Sequence, residues 1–452
     1  MAVEGPVESK VLHRARWVLP VAAPPIADGA ILIAGPTIRA VGAHRDLARE
    51  HAGAALDEID HGEAVLLPAL VNAHTHLELS ALAGRIPPGL GFVDWLEAVT
   101  TAAANLSDRE GLPAIEVAIA ECLATGTALV GEVTNTGRAV APLVSSGLFA
   151  RVFHEVIAFD PRQAEAAFAA ARTRLTAAEA EGGTTLRHSL APHSPYTASS
   201  RLLRLIRGFN GQDGRPSSIH LAESPAEDEF FRDGTGPLAE LKRRRGTTVD
   251  GWEAPEQPAV VYLMRLGWFD SPGLAVHVTQ LTARGIEILR KAQIAACLCP
   301  RSNRALGVGA APARDLAGAG VPLALGTDSR ASVDSLNLFE ELAAAETDYG
   351  LAPEILIDAA TRGGARALGF GAELGELTPG RTAAVIAVAA PAGVALADPY
   401  ALLLGCPGPE AIRRLSGQPL VNAPPHRSGP PPLSGEAHQT PNATVVAGAR
   451  HG

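Results

Sequence analysis

Two histidines spaced two apart, His74 and His76, close the apolar run of LLPALVNAHTHLELS. On a strand, residues i and i+2 point to the same face, so both imidazoles face the same way. Neutral imidazoles at this spacing are half of a site for Zn²⁺ or Fe²⁺. An isolated H-x-H could equally be two partly exposed loop histidines. Its company changes the balance. His220 ends the run SIHLA, and Glu223 follows three residues later. His277 ends LAVHV, Asp328 follows LALGT, and His193 follows TLRHSLA. Of 14 histidines, five stand at or just beyond the ends of strand-like runs, a placement that random scatter would not select. In a barrel of parallel strands, side chains at the C-terminal strand ends converge on one mouth.

The elements needed to position them are legible as hydrophobic pattern. Eight strand candidates occur at 64–73, 127–133, 150–156, 185–191, 217–222, 274–278, 294–299 and 321–326. Helical patterns such as 111–126 and 161–182 lie between them. Alternating strands and helices at this length predict an α/β fold, a (β/α)8 TIM-like barrel. Residues ~8–63 and ~373–390 read instead as short strands broken by Gly and Pro. They are expected to pair into one small β-sandwich module built from both chain ends. The resulting division is 1–63 and 371–405 for that module and 64–370 for the barrel. The Pro- and Gly-rich stretch 406–452 is expected to be a partly disordered tail.

The remaining composition excludes more than it assigns. A chain of 452 residues with 47% hydrophobic residues can bury a large core, and its net charge is -10. Such acidity argues against a nucleic-acid binder or a partner of anionic membranes. No apolar run reaches the ~18 residues of a membrane span. MAVEGPVESK lacks the charged and apolar regions of a secretory leader, so a cytoplasmic protein is expected. Four cysteines do not make a disulfide framework. Cys297 and Cys299, in AACLCP, suit one face of a buried strand better than a Cys-x-Cys metal site.

HTH after Pro-x-Leu-Val-Asn, H-x-x-E, a later strand-end His and a final G-T-D together resemble the amidohydrolase superfamily, from about residue 27 to about residue 388. Within it the chain is similar to the cytosine deaminase/chlorohydrolase branch. The resemblance implies His74, His76, His220 and Asp328 as metal ligands, and Glu223, His277 and Asp328 as catalytic residues. Three histidines and a carboxylate leave one coordination position for water. Glu223 suits a general acid/base, although it could also be a helix-capping carboxylate before SPAEDEFF. Binuclear members of the superfamily use a carbamylated lysine at a strand end. The three lysines here are Lys10, Lys242 and Lys291, and none ends a strand-like run. One divalent ion is therefore expected, zinc first and iron second, since the ligand set does not separate them.

The substrate expectation is a small-molecule nucleoside. GFVDWLEAV, HLAESPAEDEFF and CPRSNRALGVG resemble the aminodeoxyfutalosine deaminases, which remove the 6-amino group of an adenine nucleoside in menaquinone biosynthesis. His193, Arg301, Ser302, Asn303 and Glu78 are the expected substrate contacts; 301–303 would otherwise form only a tight turn. Trp95 reads as a packing aromatic. Deaminases of S-adenosylhomocysteine and methylthioadenosine carry an acid shortly after this Trp, where 102–105 here reads AAAN. Glu78 or Glu132 could replace it. The family's usual Asp in the late β segment is also replaced, by Ala384. Rival readings are a triazine- or guanine-type ring hydrolase and a metal-free scaffold. A homo-oligomer is left open.

Overall fold

The computed structural model describes residues 10–53 and 56–415. Five strands open it: β1 (Lys10–Val18), β2 (Ile26–Ala34), β3 (Thr37–Ala43), β4 (Asp57–Asp60) and β5 (Ala64–Pro68). Eight more follow: β6 (Leu70–Thr75), β7 (Thr127–Thr134), β8 (Phe149–Val156), β9 (Leu186–Pro192), β10 (Ser217–Leu221), β11 (Gly273–His277), β12 (Ala295–Leu298) and β13 (Leu323–Leu325). Strands β14 (Val385–Ala389) and β15 (Ile412–Leu415) close the described chain.

The eight middle strands match the eight candidates in order, with one instructive difference. The apolar run 64–73 is two strands rather than one. Its first half, β5, pairs with β1 and β14, while its second half, β6, opens the parallel series beside β7. Both halves are fully buried, so hydrophobicity alone could not separate them. The parallel strands form two four-stranded sheets, β6-β7-β8-β9 and β10-β11-β12-β13. The sheets touch at both ends of the series. His220 N donates to the His193 carbonyl at 3.0 Å. Thr75 and Asp328 form a parallel bridge, where Asp328 N donates to the His74 carbonyl at 3.0 Å.

Helices on the connections begin where small polar residues cap them. Ser107 and Glu110 form a capping box at Asp108–Ala124, and Ser199 and Thr282 cap Ser200–Gln212 and Ala283–Ala292. No helix among the described residues is long and apolar enough to cross a membrane.

Strands from both ends of the described chain enter one seven-stranded sheet, ordered β15-β14-β5-β1-β2-β3 with β4 beside β1. The sheet includes Ile412–Leu415, inside the stretch expected as tail; the remainder of that expectation, from residue 416, lies outside the described residues.

Candidate metal centre

The imidazoles of His74, His76, His220 and His277 gather at the C-terminal ends of β6, β10 and β11. Ring centroids lie 4.9 Å apart for His74 and His76, 4.9 Å for His74 and His220, and 5.5 Å for His220 and His277. Nε2 of His74 and Nε2 of His76 are 3.2 Å apart. Oδ1 of Asp328 lies 3.7 Å from the first and 3.6 Å from the second. All these residues are buried, and burial holds the imidazoles below their ordinary pKa, His76 down to about 3. Burial alone would raise the Asp328 carboxyl, but His74, His277 and His76 hold it well below the carboxylate range.

The centre thus gathers imidazole nitrogens and a carboxylate oxygen around one point. Ligands at about 2.0–2.1 Å from a tetrahedral zinc stand about 3.4 Å apart, close to the separations observed. Nδ1 of His220 donates to the His193 carbonyl at 2.7 Å, which leaves Nε2 as the lone-pair nitrogen. The residues present thus fit a small divalent ion. Ligand atoms of His74, His76 and His220 lie within 4.8 Å of one another, and so do those of Glu155, His193 and His220.

The backbone is shaped to bring these groups together. Ala222, His277, Val278 and Asp328 all adopt positive φ, from 49° to 70°. Among the described residues, four of the nine non-glycine residues with this conformation thus sit at the ends of β10, β11 and β13, where strain is concentrated. Gly326 fits because a Cβ there would come 2.8 Å from the Cβ of His74.

Glu223 lies beside these groups. It is 4% exposed, and Oε1 is 3.4 Å from Nε2 of His277. Burial, and then the charge of Asp328, raise its carboxyl well above the usual range. Capping of the following helix, Pro225–Asp233, falls to others. Ser224 accepts from Glu227 N, while Glu227 accepts from Ala222 N at 3.0 Å and Glu223 N at 2.9 Å. Glu223 is thereby left free of the capping role.

The other residues expected as substrate contacts have the following protein neighbours. Residues 301–303 form no tight turn but belong to the helix Pro300–Leu306. Arg301 donates to the Ser335 carbonyl and pairs with Asp334, Glu340 and Glu341, so its charge is engaged away from the imidazoles. Ser302 Oγ donates to Oδ2 of Asp328 at 2.5 Å. Asn303 Oδ1 accepts from Nδ1 of His277 at 2.8 Å. Glu78 accepts from Thr134, from the backbone N–H groups of Asn135 and Thr136, and from Thr136 Oγ1, which fixes the chain after β7. Glu132 accepts from Leu77 N. Two buried polar atoms of this group, Nδ2 of Asn303 and Oε1 of Glu132, have no hydrogen-bond partner among the described residues.

His193 does reach the centre, tilted against His220 at 4.8 Å. Trp95 packs half-buried and donates to the Ala331 carbonyl. Cys297 and Cys299 are buried; burial and Cys297 hold the Cys299 thiol well above its ordinary range, and neither cysteine joins a metal-ligating group among the described residues. Sequence reasoning missed Glu155 and Glu227. Glu155 stands near the end of β8 and accepts from Asn135 at 2.7 Å; its strand-end position was the available signal. For Glu227 the signal was the Ser-x-x-Glu spacing of a capping box.

The amidohydrolase family matches residues 65–408. The chain is 35% identical to an aminodeoxyfutalosine deaminase of Deinococcus radiodurans over 75% of this chain and 81% of that protein. It is 30% identical to a 5-methylthioadenosine/S-adenosylhomocysteine deaminase of Moorella thermoacetica, over 84% and 85% respectively. Among solved structures, a zinc-bound adenosine deaminase from Xanthomonas campestris is 28% identical, with a TM-score of 0.76 over 91% of this chain and 93% of that one. These likenesses imply a TIM-barrel fold for the parallel strands. A match over most of its length, joined to a histidine cluster at the strand ends, places this chain in the amidohydrolase family.

Proposed function

We propose that the chain is a metal-dependent deaminase that hydrolyses the 6-amino group of an adenine nucleoside, with aminodeoxyfutalosine as its first substrate. One observation carries the chemistry: buried, neutral His74 and His76 turn Nε2 atoms toward each other and toward Oδ1 of Asp328. His74, His76, His220 and Asp328 would hold one divalent ion, zinc before iron. When bound, such an ion makes a water acidic enough to react as hydroxide near neutral pH.

The chain's own residues supply the proton traffic. Glu223, whose protonated form burial favours, donates to a ring nitrogen as water adds to C6. His277 is fixed by Asn303, so its other nitrogen faces Glu223 and orients the attacking water. Asp328 accepts one water proton and passes it to the departing amine, Glu223 takes up the remaining hydroxyl proton, and the C6–N bond breaks to give ammonia and the oxo product. His193, lying against His220, is the expected nucleoside contact.

Two further features belong to this reading. The eight parallel strands close into one barrel, supported by the links at His193–His220 and His74–Asp328. The terminal sheet folds over its own inner face into a small sandwich. In support, Thr37 of β3 bridges Thr382, just before β14, and Ile31, Ile38, Leu66, Val385 and Leu415 share one core.

The substrate choice draws on the Deinococcus relative and on the missing acid at 102–105. Methylthioadenosine or S-adenosylhomocysteine is the second reading, favoured by the Moorella relative. An ultraviolet screen over these adenine nucleosides tests both. Conversion of aminodeoxyfutalosine to a hypoxanthine chromophore with ammonia release supports the first. Turnover of methylthioadenosine alone moves the assignment to the second, and no turnover of any by metal-loaded protein defeats both.

A further inference from the structure

The other end of the parallel strands carries a second polar site. An open cavity of about 500 Å³ lies at the N-terminal ends of β8, β9 and β10, lined by Arg151, Arg187, His188, Arg215 and Gly369 among others. Arg151 and Glu155 share a face of β8, and four residues at about 3.3 Å each separate them by about 13 Å. The cavity is therefore distinct from the metal centre.

The three guanidinium groups differ in their partners. Arg187 pairs with Glu373, and Arg215 pairs with Glu179 and Asp213. Arg151 is buried and, among the described residues, makes neutral contacts only. Its Nε donates to the Leu368 carbonyl at 3.0 Å, and its Nη1 donates to the His188 carbonyl and to Ser189 Oγ at 3.4 and 3.3 Å. Burial, with the charges of Arg187 and Arg215, pushes its pKa down to about 9. A buried guanidinium without an anion is costly, and its planar fork matches two oxygens of one oxyanion.

We propose that this cavity binds a phosphate group, with Arg151 as the buried anchor and Arg187 and Arg215 at the mouth. The volume admits either a free phosphate or a phosphomonoester carried on a larger molecule. Mechanism and substrate reading do not depend on this site.

Calorimetry on the full-length, metal-loaded protein tests it, with inorganic phosphate and ribose 5-phosphate as separate probes and chloride at matched ionic strength as the blank. Saturable one-to-one binding is expected for at least one probe, and the tighter of the two identifies the source. Arg151→Gln should weaken binding by about tenfold or more, the loss of a charge-assisted contact. Should that variant fail to fold, Arg187→Gln at the half-exposed mouth should show the same direction of change. Absence of saturable binding for both probes, or unchanged binding in the folded variants, overturns the proposal.

Discussion

Ser302 donates to Oδ2 of Asp328 at 2.5 Å, while Oδ1 of the same carboxylate faces His74 and His76. Ser332 stands behind the same oxygen at 3.3 Å. The two oxygens thus face different neighbours, one hydroxyls and one imidazoles. Partners of this kind orient a ligand and tune its donor strength. Ser302→Ala should retain the fold and weaken metal affinity by about ten- to a hundredfold. Competition with a chelator reads this directly, and unchanged affinity would mean that Ser332 suffices.

The inner groups should respond differently. His74→Ala and His220→Ala are expected to lose bound metal and all measurable turnover. Chelation of the wild type should likewise stop turnover, and added Zn²⁺ or Fe²⁺ should restore it. Elemental analysis alongside the ultraviolet assay checks this; a metal-free wild type with no rescue by either ion would favour a scaffold.

Glu223→Gln and His277→Ala separate binding from proton transfer. Both should keep the metal while lowering kcat by about 10²–10⁴-fold, the usual contribution of a positioned acid or base. Loss of metal in both variants would show that the roles have been misassigned.

The terminal sheet offers a pH test away from the metal. His13 Nδ1 lies 3.1 Å from His61 Nε2, and burial, then the His61 charge, lowers His13 from 6.5 to about 4. The folded state therefore resists protonation that the unfolded chain accepts. This stability is present above pH 6.5 and is lost as pH falls toward 4, by at most about 1.4 kcal/mol per pH unit. Urea midpoints at pH 7 and pH 5 should differ less in His13→Gln than in the wild type.

Histidine placement exposed the centre because strand-end geometry is local: a residue's position in its strand nearly fixes where it points. Residues 301–303 resisted the same treatment. Their pattern identifies a polar segment after β12, but the directions of Arg301, Ser302 and Asn303 depend on Glu341, Asp328 and His277, contributed by distant segments. Glu78 illustrates the same limit, since its partners lie on the chain after β7. The split at Ala69 was hidden for a different reason: uniform burial erases the alternation that would mark a change of sheet.

Strand β5 joins β14 across more than three hundred residues, with Leu66 opposite Ala387. During synthesis the early strands must wait, one edge unpaired, until all eight parallel strands have left the ribosome. A chain cut before Val385 would keep every proposed metal ligand yet leave that edge open to other chains, so premature termination should give aggregates rather than a smaller working enzyme.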